Sequence, residues 1–323
     1  MKLVQTLLVR DEADVVDAQI AYHLGAGVDF VIATDHESTD GTTEILEAYA
    51  RDGVLRRLPV SGEMREAAWR TAMARLAATE HGADWVINTD ADEFWMPRGG
   101  ALKDVLAAIP EPYGIIWALS RQFVPRPGTG WFAERMTARV CAAAPINDPT
   151  SPYRPHAKAA HRGSPEISVR YGAHFVGSPR LQPLRDWYAV DCLHFPFRSP
   201  GQYARKCTRR GTELGQYARG TLASERGDVE RAYRELLVSD EALEAGVAAG
   251  LLAVDTRLRD ALRGVQAGVA PRPTRTPADD DAVVDAAALR EADAVRLQRR
   301  ADALAVRVGK LEHRGAERRI VAR

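Results

Sequence analysis

Cysteine, lysine and net charge are what this sequence has least of. Among 323 residues there are three cysteines, Cys141, Cys192 and Cys207, odd in number and without a Cys-x-x-Cys pair. That excludes a disulfide framework and a zinc ribbon, and it fits a reducing compartment. Lysine occurs five times against 39 arginines, a bias that fits a GC-rich, bacterial coding genome and says little about function. No apolar run reaches the roughly 18 to 20 residues that a membrane span needs. The opening stretch MKLVQTLLVRDEADVV meets charge at Arg10 and lacks a small-residue cleavage site, so it reads as a first strand and not as a signal peptide. The expectation is a cytoplasmic protein, with peripheral contact at the inner membrane face as the variant. Lys plus Arg and Asp plus Glu are 44 each, which argues against a general nucleic-acid binder with its basic excess. A hydrophobic share of 46% excludes disorder throughout, and no internal repeat is visible.

The zero net charge conceals a division. Residues 1–120 hold 10 basic and 20 acidic side chains, residues 121–220 hold 16 and 6, and residues 221–323 hold 18 of each. Opposite bias in neighbouring segments points to different jobs for them.

The acidic segment alternates strand and helix signals. Apolar runs at 3–9, 29–34, 54–60 and 84–89 read as strands, and amphipathic stretches at 14–24, 42–51 and 63–80 as helices. This order implies an α/β fold with a mostly parallel sheet flanked by helices, and such sheets bind ligands beyond the carboxyl ends of their strands. The polar clusters Arg10-Asp11-Glu12, Asp35 to Asp40 and Asp90 to Glu93 fall at those ends. Residues 121–220 are irregular and hold four of the eight histidines, His156, His161, His174 and His194. Residues 221–268 suggest short helices, with Ser239-Asp240 a helix start, and 269–281 a linker. Residues 282–323 read as a C-terminal helix. Its apolar seam runs through Ala294, Leu297, Ala301, Leu304, Val308 and Leu311, which suits either packing on its own domain or a short coiled coil.

Asp90-Ala91-Asp92-Glu93 is the most informative segment. Three carboxylates in four residues at the end of a buried strand repel one another unless a cation sits among them, and a hard divalent ion is suited to that place. Alternate residues of an extended segment point the same way, so Asp90 and Asp92 can both face a metal or a nucleotide; the plainer alternative is a solvated acidic turn. Asp35 stands where a base or ribose could be gripped, whereas Ser38, Thr39 and Asp40 read as capping residues for the next helix.

Asp35-x-x-Ser38-Thr39-Asp40-Gly41-Thr42 followed by Asp90-Ala91-Asp92-Glu93 resembles family 2 of the glycosyltransferases, with their A-type, Rossmann-like nucleotide-sugar fold. Arg10-Asp11-Glu12 resembles that family's Asn-Glu element, and the likeness covers residues 3–97. It implies residues 1–120 as the donor half and 121–220 as an acceptor and diphosphate segment of one catalytic domain. It assigns Asp35 to the nucleoside with Arg10 and Glu12 near it, and Asp90 and Asp92 to the diphosphate and a Mn²⁺ or Mg²⁺ ion. His36 departs from the pattern, where many members carry a second Asp, and leaves the base open.

His194-Phe195-Pro196-Phe197-Arg198-Ser199 resembles a His-x-x-x-Arg-Ser element of one branch of the family. A neutral His194 there would complete a metal shell, and Arg198 and Lys206 would neutralise diphosphate. The resemblance implies an inverting enzyme, which needs a general base. Asp191, three residues before His194, is favoured over Asp186, Glu166, Glu134 and Glu93. His174, Lys158, His161 and Arg162 are weaker contacts for phosphate, metal or acceptor, each more readily read as core or solvated surface. The expected donor is a UDP-, GDP- or dTDP-linked sugar, and the acceptor an unknown glycan or small molecule. The competing readings are a nucleotidyltransferase, disfavoured by the absence of a Gly-rich basic loop after the first strand, and a non-catalytic assembly protein that forms homo-oligomers through residues 282–313.

Overall fold

The structure, a computed structural model, describes residues 1–141, 156–185, 187–213 and 226–271, with backbone only for 208–213 and 226–229. The expected C-terminal helix, its seam, most of the 269–281 linker and Asp186 lie outside the described residues.

The first part of the chain runs β1 (Leu3–Val9), α1 (Val16–Gly25), β2 (Phe30–His36), α2 (Thr42–Arg51), β3 (Leu55–Val60), α3 (Glu66–Thr79) and β4 (Trp85–Asp90). It continues through β5 (Glu93–Pro97), α4 (Leu102–Ala107), β6 (Tyr113–Gln122), α5 (Phe132–Arg135), β7 (Ala138–Val140) and β8 (Ala157–Arg162). Short strands β9 (Ser168–Val169), β10 (Val176–Gly177) and β11 (Gln182–Pro183) precede β12 (Val190–His194). The described chain ends in α6 (Pro200–Glu213), α7 (Arg226–Leu236), α8 (Asp240–Ala248), β13 (Leu252–Val254) and α9 (Arg257–Gln266). The first seven elements follow the expected strand–helix order. Ser239 caps α8 as expected, its Oγ accepting the Ala242 N–H at 3.2 Å.

The central sheet has the order β3-β2-β1-β4-β8-β6-β12-β5, with β11 on the start of β6. Strands β1 to β4 pair in parallel, as do β6 and β12, while β8 is antiparallel to both β4 and β6. So β1, β2, β4, β6 and β12 all end at one edge of the sheet. The antiparallel β8 and β5 begin at that edge. This corrects the view of residues 121–220 as an irregular segment beside the sheet: β8 and β12 are inside it, and position 120 falls within β6.

The core lies on both faces, as a parallel sheet requires. Leu3, Leu7 and Val9 of β1 pack with Val16, Ile20, Val31 and Ile87 on one side, and Val4 packs with Ile32, Met73, Ala77 and Val86 under α3 on the other. A period of two along β1 produces this split. The capping turn does more than begin α2. Ser38 Oγ accepts the Asp11 N–H at 3.1 Å, and the Thr39 N–H donates to Asp11 Oδ1 at 2.8 Å. Asp11, at φ 51°, is thereby held in the left-handed conformation that Asp and Asn tolerate best, and the loop after β1 is locked to the loop after β2.

Candidate active site

A cleft of about 380 Å³ opens at the edge where these strands end. Arg10, Asp11 and Glu12 line it after β1, His36 at the end of β2, and Glu66 and Arg70 from α3. The turn Asp90 to Glu93 forms its floor; Gln122, His156, Lys158 and His174 line one side, and His194, Arg205 and Lys206 another.

The carboxylates on the floor are stabilised by a ring of cations. Asp90 pairs with Arg70 and, at 2.6 Å, with Lys158. Glu93, fully buried, accepts the Asp90 N–H at 3.0 Å and lies 2.9 Å from Lys158 Nζ. Asp92 is 2.9 Å from Lys206 and 3.6 Å from Arg198. Burial alone would raise all three carboxyl groups. For Asp90 the nearby Arg70 and Lys158, and for Asp92 Lys206, His194 and Arg198, overcome burial and hold them well below the usual carboxylate range. In Glu93 burial wins, and its pKa is raised. Glu12 is also raised, by burial that Arg198 only partly opposes.

His194 adds the imidazole expected of it. Its Nε2 stands 3.5 Å from Asp92 Oδ1, and its Nδ1 is 2.8 Å from Gln122 Oε1. An amide oxygen cannot donate, so Nδ1 carries a proton, and Nε2 faces a carboxylate oxygen, as a second N–H donor in the imidazolium or with its lone pair in the neutral ring. Those two groups repel unless a cation or a proton lies between them. Asp90, Asp92 and Glu93 each bring an oxygen within 4.8 Å of the others, and Glu93, His156 and His194 form a second such group. These donor atoms fit a divalent ion that accepts oxygen and imidazole ligands.

Several expected residues are not brought to the cleft. Arg198 is buried at 1% exposure and clasps Glu12 and, at 2.8 and 3.0 Å, Asp14, so it ties the loop after β1 to the segment after β12 and does not line the cleft. Asp35 is 2% exposed; its carboxylate accepts from Thr43 Oγ1 at 2.6 Å and Arg57 at 3.0 Å, and it does not line the cleft. His36 lines it instead, with Nε2 2.9 Å from the Gly62 carbonyl and Nδ1 3.5 Å from Arg10.

Asp191 as the base is a correction. It is fully buried among Arg98, Arg121 and Arg257, at 2.8 to 2.9 Å, and these guanidinium groups hold its pKa at about 2 against the effect of burial. The physical reason is parity. Three positions along a strand reverse the side chain, so Asp191 faces away from His194. Glu134 pairs with Arg263 and Glu166 with Arg180, both outside the cleft lining. His161 is buried and bonds the Arg162 carbonyl at 2.9 Å; burial lowers its pKa to about 4. Arg162 lies over the Trp85 ring.

Sequence reasoning offers Lys158 only as a weaker phosphate or acceptor contact and misses Arg70, Gln122, His156 and Arg205. Lys158 had a signal. It is the single lysine between Lys103 and Lys206 and stands in an otherwise alanine-rich strand start. His174 does reach the cleft. Its Nδ1 is 2.9 Å from the Ala157 carbonyl, its ring centroid is 5.0 Å from that of His156, and burial, then Lys158, lowers its pKa to about 4.

Residues 5–123 match the family model of glycosyltransferase family 92. The match spans β1 to the end of β6 and supports a glycosyltransferase, in agreement with the motifs, although those resemble family 2. No curated protein matches the chain. Among solved structures, residues 1–349 of TarS from S. aureus are similar at 15% identity and a TM-score of 0.38, over 77% of this chain and 72% of that one. The same protein in complex with UDP-GlcNAc gives 16% and 0.37, over 77% and 73%. Glucosyl-3-phosphoglycerate synthase from Mycobacterium tuberculosis, in complex with Mg²⁺ and UDP, gives 22% and 0.25, over 37% of this chain and 43% of that one. Among the described residues no helix is long and apolar enough to cross a membrane.

Proposed function

We propose that this protein is a metal-dependent, inverting glycosyltransferase that moves a sugar from a nucleoside diphosphate donor, UDP-, GDP- or dTDP-linked, to an acceptor hydroxyl. The observation that carries the reading is the meeting of Asp90, Asp92 and Glu93 with His194, Lys206 and Arg205 in one cleft at the strand ends. Asp92 and His194 hold the ion in this reading, with Asp90 and Glu93 in reach. When bound, Mn²⁺ or Mg²⁺ supplies positive charge to the leaving diphosphate.

The protein's own groups supply the remaining functions. Lys206, now on Asp92 and 21% exposed, and Arg205 beside it are the cations available to phosphate oxygens. Charge held ready where negative charge develops is the main source of such catalysis. Arg10 and His36 line the part of the cleft next to Asp11 and Glu12 and are the groups assigned to the nucleoside. Of the acids weighed as base, Glu93 lines the cleft, where burial raises its pKa.

A thermal-shift series with UDP, GDP and dTDP, each with and without Mn²⁺, tests this. One diphosphate is expected to raise the Tm only with the ion, and Asp92→Ala to remove the metal-dependent part. No shift with any diphosphate overturns the reading.

A further inference from the structure

Gln122 meets His194 at the edge of the cleft, its amide oxygen 2.8 Å from Nδ1 of the ring. The two residues are register partners on the parallel pair β6 and β12, so both side chains project to the cleft face. Gln122 is 5% exposed. Its amide nitrogen lies 3.3 Å from Ser120 Oγ and 3.2 Å from His156 Nδ1, both able to accept. With the NH₂ turned toward those partners, the amide oxygen faces His194 Nδ1 at 2.8 Å. Hence Nδ1–H donates to Gln122, and in the neutral ring the lone pair falls on Nε2, 3.5 Å from Asp92 Oδ1.

We propose that Gln122 is a positioning residue for the metal: it keeps His194 in the Nδ1–H tautomer, so that Nε2 and Asp92 Oδ1 form one side of a divalent-cation site. The inference rests on the proposed reading that Asp92 and His194 hold the ion. A histidine ligand needs an acceptor for its other N–H to fix tautomer and ring orientation, and no other acceptor is recorded for Nδ1 among the described residues. The imidazole also sets the class of ion. One nitrogen with carboxylate oxygens suits Mn²⁺, whereas Mg²⁺ prefers an all-oxygen shell.

The test is Mn²⁺ titration of the full chain, followed by the free-ion EPR signal, with ¹⁴N modulation of the bound ion as the second readout. Wild type, Gln122→Glu and Gln122→Leu are compared, and far-UV CD melting establishes that each is folded. Wild type is expected to bind Mn²⁺ with coupling from a histidine nitrogen. Gln122→Leu, which cannot accept the Nδ1–H, should bind about 10- to 100-fold more weakly and lose that coupling. Gln122→Glu, which can accept it, should bind at least as tightly as wild type and keep it; rescue by Glu is a result that loss of packing would not produce.

Equal binding by the Leu variant with unchanged coupling overturns the proposal, as does a Glu variant as weak as the Leu variant. If the Leu variant does not fold, the Glu variant decides against wild type on the same criteria. Wild type that binds Mn²⁺ without ¹⁴N coupling overturns this inference while leaving a carboxylate-held ion intact. Wild type that binds no Mn²⁺ removes both.

Discussion

Strands β6 and β12 carry two charged clusters, one on each face of the sheet. On the cleft face Gln122 and His194 stand beside Asp92, Glu93 and Lys158. On the opposite face their strand neighbours Arg121 and Asp191 join Arg98, Arg257, Asp255 and Arg139. Both clusters are deeply buried, and both cancel charge against charge. The difference lies in what surrounds them. The rear cluster is closed by β7 and α9: Arg139 meets Asp255 at 3.0 Å, and Arg257 bridges Asp255 and Asp191 at 2.7 and 2.9 Å. The cleft cluster opens onto a cavity of about 380 Å³, lined by carboxylates and imidazoles that could hold a metal ion. A closed ion cluster anchors the C-terminal helices to the sheet; an open one can exchange its internal cations for those of a ligand.

If this contrast is right, the largest effect falls on stability at the rear. Asp191→Ala leaves buried guanidinium groups without their counter-charge and should cost about 3 to 5 kcal/mol in urea unfolding, while the folded protein keeps its nucleotide response. Loss of that response at unchanged stability would reverse the assignment of the two faces. At the front, Asp92→Ala should lower sugar transfer about 10²- to 10³-fold, the usual cost of removing one charge-stabilising group. Steady-state assay with the donor identified by thermal shift measures it.

Acid acts on the rear cluster by a smaller amount. The Asp191 pKa in the folded protein, about 2, lies below the 3.8 of an unperturbed aspartate. Its stabilisation, on the order of 2 kcal/mol, is therefore complete above pH of about 4 and is lost as pH falls toward 2. Asp191→Asn should flatten that part of the stability profile, measured by urea midpoints at a series of pH values. Lys206→Met should weaken nucleoside diphosphate binding about tenfold, the worth of one charge-assisted hydrogen bond, as read by calorimetry. The smallest effect belongs to the exposed Glu134–Arg263 pair: Glu134→Gln should leave the Tm unchanged.

Much of the fold was legible in the residues. The first four strands and three helices follow from short apolar runs alternating with amphipathic stretches, which are local patterns. Asp90, Asp92 and Glu93 were legible as a site because three adjacent carboxylates at a strand end need a cation, and the ring of Arg70, Lys158 and Lys206 supplies that need in the protein itself. Asp191 was not legible. Nearness in sequence to His194 suggested a shared site, yet an odd separation on a strand puts the two on opposite faces. Arg198 misled in the same way, since its partners Glu12 and Asp14 are brought from the far end of the chain. Gln122 carried no local motif at all and Lys158 only its rarity; they matter because β6, β8 and β12 share the cleft edge.

By itself the sequence determined the order of strands and helices, and that its acidic clusters terminate strands, since both follow from local periodicity and from the turn residues beyond each strand. Tertiary structure decided which charged groups face the cleft and which face the rear core. Face parity depends on register with strands distant in the chain: His194 opposite Gln122 and Asp191 opposite Leu119 are set only when β12 pairs with β6. Neighbouring residues thus acquire unlike places, one set lining the cleft and the other sealed into the structure that supports it.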